Sequence, residues 1–114
     1  MDQSNVYQRI HFLRELGAAN ATTRKLLIRC ITREQMEALA EVVRYILNGA
    51  LAVLVGDVPF IRERSLSLRQ LIDPRISLRR KRNTLLLNQD IVPRLLRRPY
   101  LNRAILLSVR TGEQ

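Results

Sequence analysis

The chain contains no tryptophan, one histidine, one cysteine and only five aromatic side chains, Tyr7, Phe12, Tyr45, Phe60 and Tyr100. So few rings leave any core to leucine, isoleucine, valine and alanine, which suits helix packed on helix better than a β-sandwich. A single thiol, Cys30, can form no intrachain disulfide, so nothing points to a secreted scaffold. Cys30 lies in an apolar stretch and is expected to be a small core residue. His11 and Cys30 alone are too few for a metal site, which takes three or four ligands at characteristic spacings. The longest apolar run, "ALAVLV" at 50–55, is far short of the roughly 20 residues of a membrane span, so no transmembrane segment is expected. The sequon Asn20-Ala21-Thr22 is expected to be incidental, since no signal-like segment precedes it.

Catalytic constellations are as scarce as metal ligands. No phosphate-binding G-x-x-x-x-G-K-[ST] loop, G-x-S-x-G elbow or paired-carboxylate motif occurs. His11 stands four residues before Glu15, the spacing of an ordinary exposed helix pair. The chain is therefore not expected to be an enzyme, and no cofactor is implied.

Arginine is what the chain has in excess. Its 20 basic and 10 acidic residues give a net charge of +10, and all the basic residues except Lys25 and Lys81 are arginine. Residues 1–59 hold seven basic and six acidic side chains, a net of +1, whereas residues 60–114 hold thirteen and four, a net of +9. A near-neutral portion joined to a basic one is the pattern of a folded module that presents a polyanion-binding face. Arginine suits phosphate because its planar fork donates two hydrogen bonds to one group.

With 114 residues, 46% of them hydrophobic, the chain suffices for one domain with a real core. The expected fold is all-α, a small bundle of five to six short helices, with 1–59 as its near-neutral portion and 60–114 as its basic portion. A first helix is expected over about Asn5–Leu16, capped by Ser4 and ended by Gly17, with Val6, Ile10, Leu13 and Leu16 inward. A second is expected over Thr23–Ile31, with Leu26, Leu27 and Cys30 inward. The clearest element is 32–48. Thr32 and Gln35 form a capping box, and Met36, Leu39, Ala40, Val43, Ile46 and Leu47 share one face. Gly49 then supplies the left-handed residue that ends helices cheaply. Residues 50–59 read as an irregular or partly helical connection. Helical spacing returns from Pro59 to Ile72, closed by Asp73-Pro74. Ser77 caps a helix over Leu78–Leu87, with Leu78, Leu85 and Leu86 inward and Arg79 to Asn83 outward. Asp90 caps a turn or two up to Arg98, Pro99 stops it, "YLNRAILLSV" at 100–109 forms a last short helix, and "RTGEQ" frays.

The basic cluster "RRKR" at 79–82 is flanked by Arg69 and Arg75 on one side and by Arg94, Arg97 and Arg98 on the other. These nine residues, with Arg62, Arg64 and Arg103 beside them, are the candidate nucleic-acid-binding surface. Four consecutive cations on a helix wrap around more than one face, so they straddle a phosphate backbone rather than dock on a flat wall. With six to ten phosphate contacts, affinity would fall by roughly 10³–10⁵ between 50 and 200 mM salt. No aromatics interleave with the arginines, so base-specific single-strand recognition gains no support. No zinc finger or RNP signature is present. The same cluster fits a nuclear-import address.

These residues also resemble a family. "TTRKLLIRCITREQMEALAEVVRYILNG", a following valine-proline and "LRQLIDPRISLRRKRNTLLLNQ" resemble the small basic core protein of Maverick/polinton elements and adintoviruses. Leu71 to Arg82 follow that family's A-D-K-[KR]-V-S-L-[KR]-[KR]-K-[KR] segment, and Asn88-Gln89 fall where it carries an asparagine-glutamine. The resemblance covers residues 20–89. It implies a virion-core protein that packages DNA, with double-stranded DNA as partner, self-association open, and the nucleus or virion interior as location. After Gln89 the chain departs from the family, whose Gly-Gly-rich apolar segment is absent. A membrane-active or protease-processed role is therefore not expected, and the chain reads as a divergent or host-captured copy. Two other readings stand beside packaging. One is a helical adaptor or regulator with exposed apolar surface on 95–109. The other is an anionic-membrane binder using "PRLLRRPYLNRAILL".

Overall fold

Helix α3, Arg33–Leu47, organises the structure, a computed structural model that describes residues 3–112. Its start is fixed as the sequence predicts. The Thr32 hydroxyl accepts the Gln35 N–H at 3.1 Å, and the Gln35 side chain accepts the Thr32 N–H at 3.0 Å. Its end is fixed by Gly49 at φ +81°, where a side chain would be strained. Between these ends Met36, Ala38, Leu39, Ala40, Val42, Val43 and Ile46 are all buried. This stripe is wider than one neighbour can cover. It packs against α1 (Gln3–Ala18), α5 (Ser65–Ile72) and α8 (Arg98–Gly112).

The remaining helices are α2 (Ala21–Arg29), α4 (Val58–Glu63), α6 (Leu78–Leu87) and α7 (Ile91–Leu95), with a 3₁₀ turn at Val55–Asp57 before α4. Among the described residues there are eight α-helices and no strand, so the all-α class holds and the expected count of five to six is too low. A break at Arg64, and a short helix α7 where only a turn or two is expected, account for the excess. The chain turns at Arg64 (φ −100°, ψ 12°), splitting the expected 59–72 helix into α4 and α5. It turns again at Leu96, separating α7 from α8. Pro99 does not stop a helix. It is the second residue of α8, as Pro59 is of α4, in a first turn where the missing N–H is not needed. The tail from Arg110 to Gly112 continues α8 instead of fraying. As expected, residues 50–57 are irregular apart from the 3₁₀ turn, and Asp73, extended at ψ 116° before Pro74, closes α5.

Of the residues expected inward on α2, only Leu27 packs against the core, half-buried. Ile28 and Ile31 are buried, while Leu26 and Cys30 are exposed. The helix also starts two residues earlier than expected, where the Asn20 side chain accepts the Thr23 N–H at 2.9 Å. Helices of the two portions interleave: α1 also meets α7, and α2 meets α6. A radius of gyration of 13.3 Å matches the roughly 13 Å of a single compact unit this long.

α1 begins before Ser4 and runs through Gly17, so neither residue is the boundary it was expected to be. Phe12, Leu13 and Leu16 are buried and Ile10 is half-buried; the side chain of Val6 lies outside the described residues. Gly17 serves close approach. A Cβ there would stand 2.8 Å from the Leu96 Cβ and 3.1 Å from the Leu96 carbonyl oxygen. Gly17→Ala therefore sets a helix-propensity gain of about 1 kcal/mol against an overpacking cost of about 1–3 kcal/mol. Half of that obstruction is backbone, which cannot rotate away. We expect net destabilisation of up to about 2 kcal/mol, read as a lower urea midpoint. An unchanged or higher midpoint would refute the close-packing role.

Candidate nucleic-acid interface

The fold sorts the nine candidate cations into groups with different freedom. Arg69 on α5, Arg79 and Arg80 on α6 and Arg98 on α8 are exposed and form no hydrogen bond or ion pair through their side chains. Arg62 and Arg103 share that state. Arg75 is 87% exposed but grips Asp73, through Nε to Oδ1 at 3.1 Å and Nη2 to Oδ2 at 3.0 Å. These bonds, joined by the Arg75 backbone N–H, hold the Asp73 carboxyl below its ordinary range and raise the Arg75 guanidinium.

Two members of the "RRKR" cluster do not face outward. Lys81 is only 8% exposed. It follows Leu78 by three residues and precedes Leu85 by four, so helical geometry places it on the buried stripe. Its alkyl stem suits that position. Arg82 is half-buried and points back to the α2–α3 junction, where Nε and Nη2 donate to the Ile31 carbonyl at 3.2 and 2.8 Å. The outer face of α6 thus carries Arg79, Arg80 and Asn83, not the whole run. Ser77 caps the helix as predicted, accepting the Arg80 N–H at 3.2 Å.

Arg94 and Arg97 are held by Asp57, at 3.1 and 3.4 Å. The Asp57 side chain is buried, and the Tyr100 hydroxyl also donates to it at 2.5 Å. The same hydroxyl accepts the Leu54 N–H at 2.9 Å. The Tyr100 hydrogen bond, then Arg97 and Arg94, lower the Asp57 pKa against the opposing effect of burial. Burial and the carboxylate push Tyr100 up. Arg94 and Arg64 also lie over the Phe60 ring, 4.8 and 5.1 Å from its centroid. Arg64 is occupied further by Asp90, at 3.0 and 2.7 Å, and by Asn88 at 3.1 Å. Asp90 therefore serves an ion pair and makes no cap bond to α7.

α5 and α6 run antiparallel, since Gln70 meets Thr84 and Arg64 meets Asn88 across the pair. Arg69 and the Arg79–Arg80 pair thus stand on two adjoining helices. Arg97 and Arg98 belong elsewhere, to a cleft of about 690 Å³ where α1 meets α7 and α8. Its third cation, Arg14, comes from the near-neutral portion, and no local pattern in the sequence marks it. The apolar surface expected on 95–109 is mostly interior: Leu95, Leu96, Tyr100, Leu101 and Ala104 are buried and Leu106 is exposed. Among the described residues no helix is long and apolar enough to cross a membrane. Comparison of the chain with known protein families, with curated proteins and with solved structures finds no match.

The Asp57 cluster gives a pH prediction. A carboxyl whose folded pKa lies below its unfolded value adds stability above the unfolded pKa, and that stability is lost as pH falls through the folded one. For Asp57 the window opens below about pH 4. Asp57→Asn keeps the shape and removes the charge. It should cost about 1–3 kcal/mol at pH 7, with the gap from the parent narrowing below pH 4 in urea melts. A gap that stays constant with pH would show that the charge at Asp57 contributes nothing.

Proposed function

We propose that the protein binds nucleic acid through its phosphate backbone, independently of sequence, and condenses double-stranded DNA. This is the packaging role implied by its resemblance to the Maverick/polinton and adintovirus core protein over residues 20–89. The observation that carries the reading is that residues 60–114 alone present six exposed arginines without side-chain partners: Arg62, Arg69, Arg79, Arg80, Arg98 and Arg103. A charged group with no internal role that stands on a helix is poised for an external counter-charge. Among the candidate cations, Arg79 and Arg80 are the best mounted. Their helix is capped by Ser77 and tied to the body by Arg82. The adaptor and membrane readings lose support because the apolar residues they would use lie mainly in the core.

Phosphate contacts release counterions, so log affinity falls linearly with log salt, by about 0.9 per contact on duplex DNA. Four to six free arginines give a slope of about −4 to −5. Unrelated duplexes should bind within a few-fold of one another. Arg79→Gln with Arg80→Gln should weaken binding to all of them and make the slope shallower by about 2. The check is a fluorescence-anisotropy titration at several salt concentrations. A flat salt dependence would defeat the proposal, and a loss confined to one sequence would indicate a regulator instead. Lys81 and Arg82 are left intact because neither presents its charge on the outer face of α6.

A further inference from the structure

Lys81 is the one candidate cation that the exposed surface does not explain. It is buried, yet it makes no hydrogen bond and no ion pair. Its stem is covered, while the ammonium keeps some contact with solvent and meets no protein acceptor. Lys81 contributes to lowering the Asp73 carboxyl, but Asp73 is already gripped by Arg75. What Lys81 does reach is a cleft of about 280 Å³ between the first turns of α3 and α6, which it lines with Arg33, Arg75, Ser77 and Glu37.

The cleft has the other parts of an anion site. Ser77 Oγ takes the Arg80 N–H and the Ser77 carbonyl takes the Lys81 N–H. The N–H groups of Leu78 and Arg79 are therefore the unfilled donors of the first turn of α6, at the positive end of its dipole. Ser77 Oγ accepts in its cap bond and keeps its own proton to donate. Arg75 uses Nε and Nη2 on Asp73, which leaves Nη1. Three cations, Arg33, Arg75 and Lys81, stand against the exposed Glu37 and the Asp73 that Arg75 grips, so the surroundings stay net positive at neutral pH. Met36, Ile76 and Leu78 supply apolar walls.

We propose that this cleft seats a single phosphate group. The Leu78 N–H group, the Ser77 hydroxyl and Lys81 hold its oxygens from within, and Arg33 and Arg75 close over it at the rim. A helix N-terminus with a lysine beside it is a recurrent way to hold phosphate. The cleft is larger than a bare phosphate, so the group can arrive as a free ion or as a phosphate ester whose carbon-bearing part lies on the apolar walls. The seat is distinct from the exposed arginines and does not rest on duplex binding.

The test is a titration of the ¹⁵N-labelled protein with inorganic phosphate at constant ionic strength, with chloride as the balancing anion. We expect saturable shifts of the Leu78 amide signal. Lys81→Met should weaken the response about tenfold, as for loss of one charge-assisted hydrogen bond. Glu37→Gln, at an exposed position, should tighten it. Amides that move no more with phosphate than with chloride would overturn the proposal, as would Lys81→Met binding phosphate as tightly as the parent. If Lys81→Met fails to fold, the parent titration and Glu37→Gln decide. Two short oligonucleotides, one with a 5′-phosphate and one with a 5′-hydroxyl, separate the sources. A response only to the phosphorylated strand assigns the seat to a strand end. An equal response to both, with inorganic phosphate still bound, assigns it to a free or small-molecule phosphate. Weaker duplex binding in an Arg62→Gln, Arg69→Gln protein with the phosphate response intact separates this seat from the backbone-binding surface.

Discussion

The buried carboxylate of Asp57 is the contact on which the arrangement of the C-terminal helices depends. It lies in the least regular part of the chain and gathers Arg94, Arg97 and the Tyr100 hydroxyl. Through Tyr100 it also fixes the backbone at Leu54. Hydrogen bonds to a charged acceptor are about twice as strong as neutral ones, and three converge on one group that has little water. The cluster joins the 50–57 connection to α7 and α8. Removing one member strands the others, which is why a buried ion cluster is costly to break even where it adds little net stability.

The same cluster changes what the composition means. Residues 60–114 carry thirteen cations. Asp57, Asp73 and Asp90 capture Arg94, Arg97, Arg75 and Arg64. The Ile31 carbonyl takes Arg82, and the core takes Lys81. Six described arginines remain free, and the side chain of Arg110 lies outside the described residues. A few carboxylates thus lower self-repulsion inside a highly charged domain and select which arginines face solvent unopposed. Arginine is suited to both duties, since its fork can grip a carboxylate within the fold or a phosphate outside it.

Local signals were legible and long-range ones were not. The capping box at Thr32 and Gln35, the stop at Gly49 and the cap at Ser77 each involve residues within a few positions of one another, and all appear as read. Gly17 was misread because its reason for being glycine is Leu96, far along the chain. Cys30 and Leu26 face solvent because α2 is short: over nine residues the period alone does not choose among adjacent apolar positions, and packing takes Ile28. Arg94 and Arg97 looked like surface charge because their partner stands 37 and 40 residues away. Lys81 was within reach of the sequence, since the spacing Leu78, Lys81, Leu85 is that of a buried stripe. A charge at such a position is easily read as an outward residue when three arginines surround it.

Four adjacent cations on an α-helix cannot share one environment, because successive side chains point about 100° apart. In α6 the helix resolves this into three destinations. Arg79 and Arg80 meet water, Arg82 meets a backbone carbonyl, and Lys81 enters the cleft beside Arg33 and Arg75. The one lysine in the run takes the buried place, where a single flexible ammonium on an alkyl stem fits better than a rigid guanidinium fork. The fork goes where a carbonyl receives it through two donors. The choice between lysine and arginine within "RRKR" thus follows from position on the helix, and the run joins an anchor, an exposed pair and an inward-facing charge in a little over one turn.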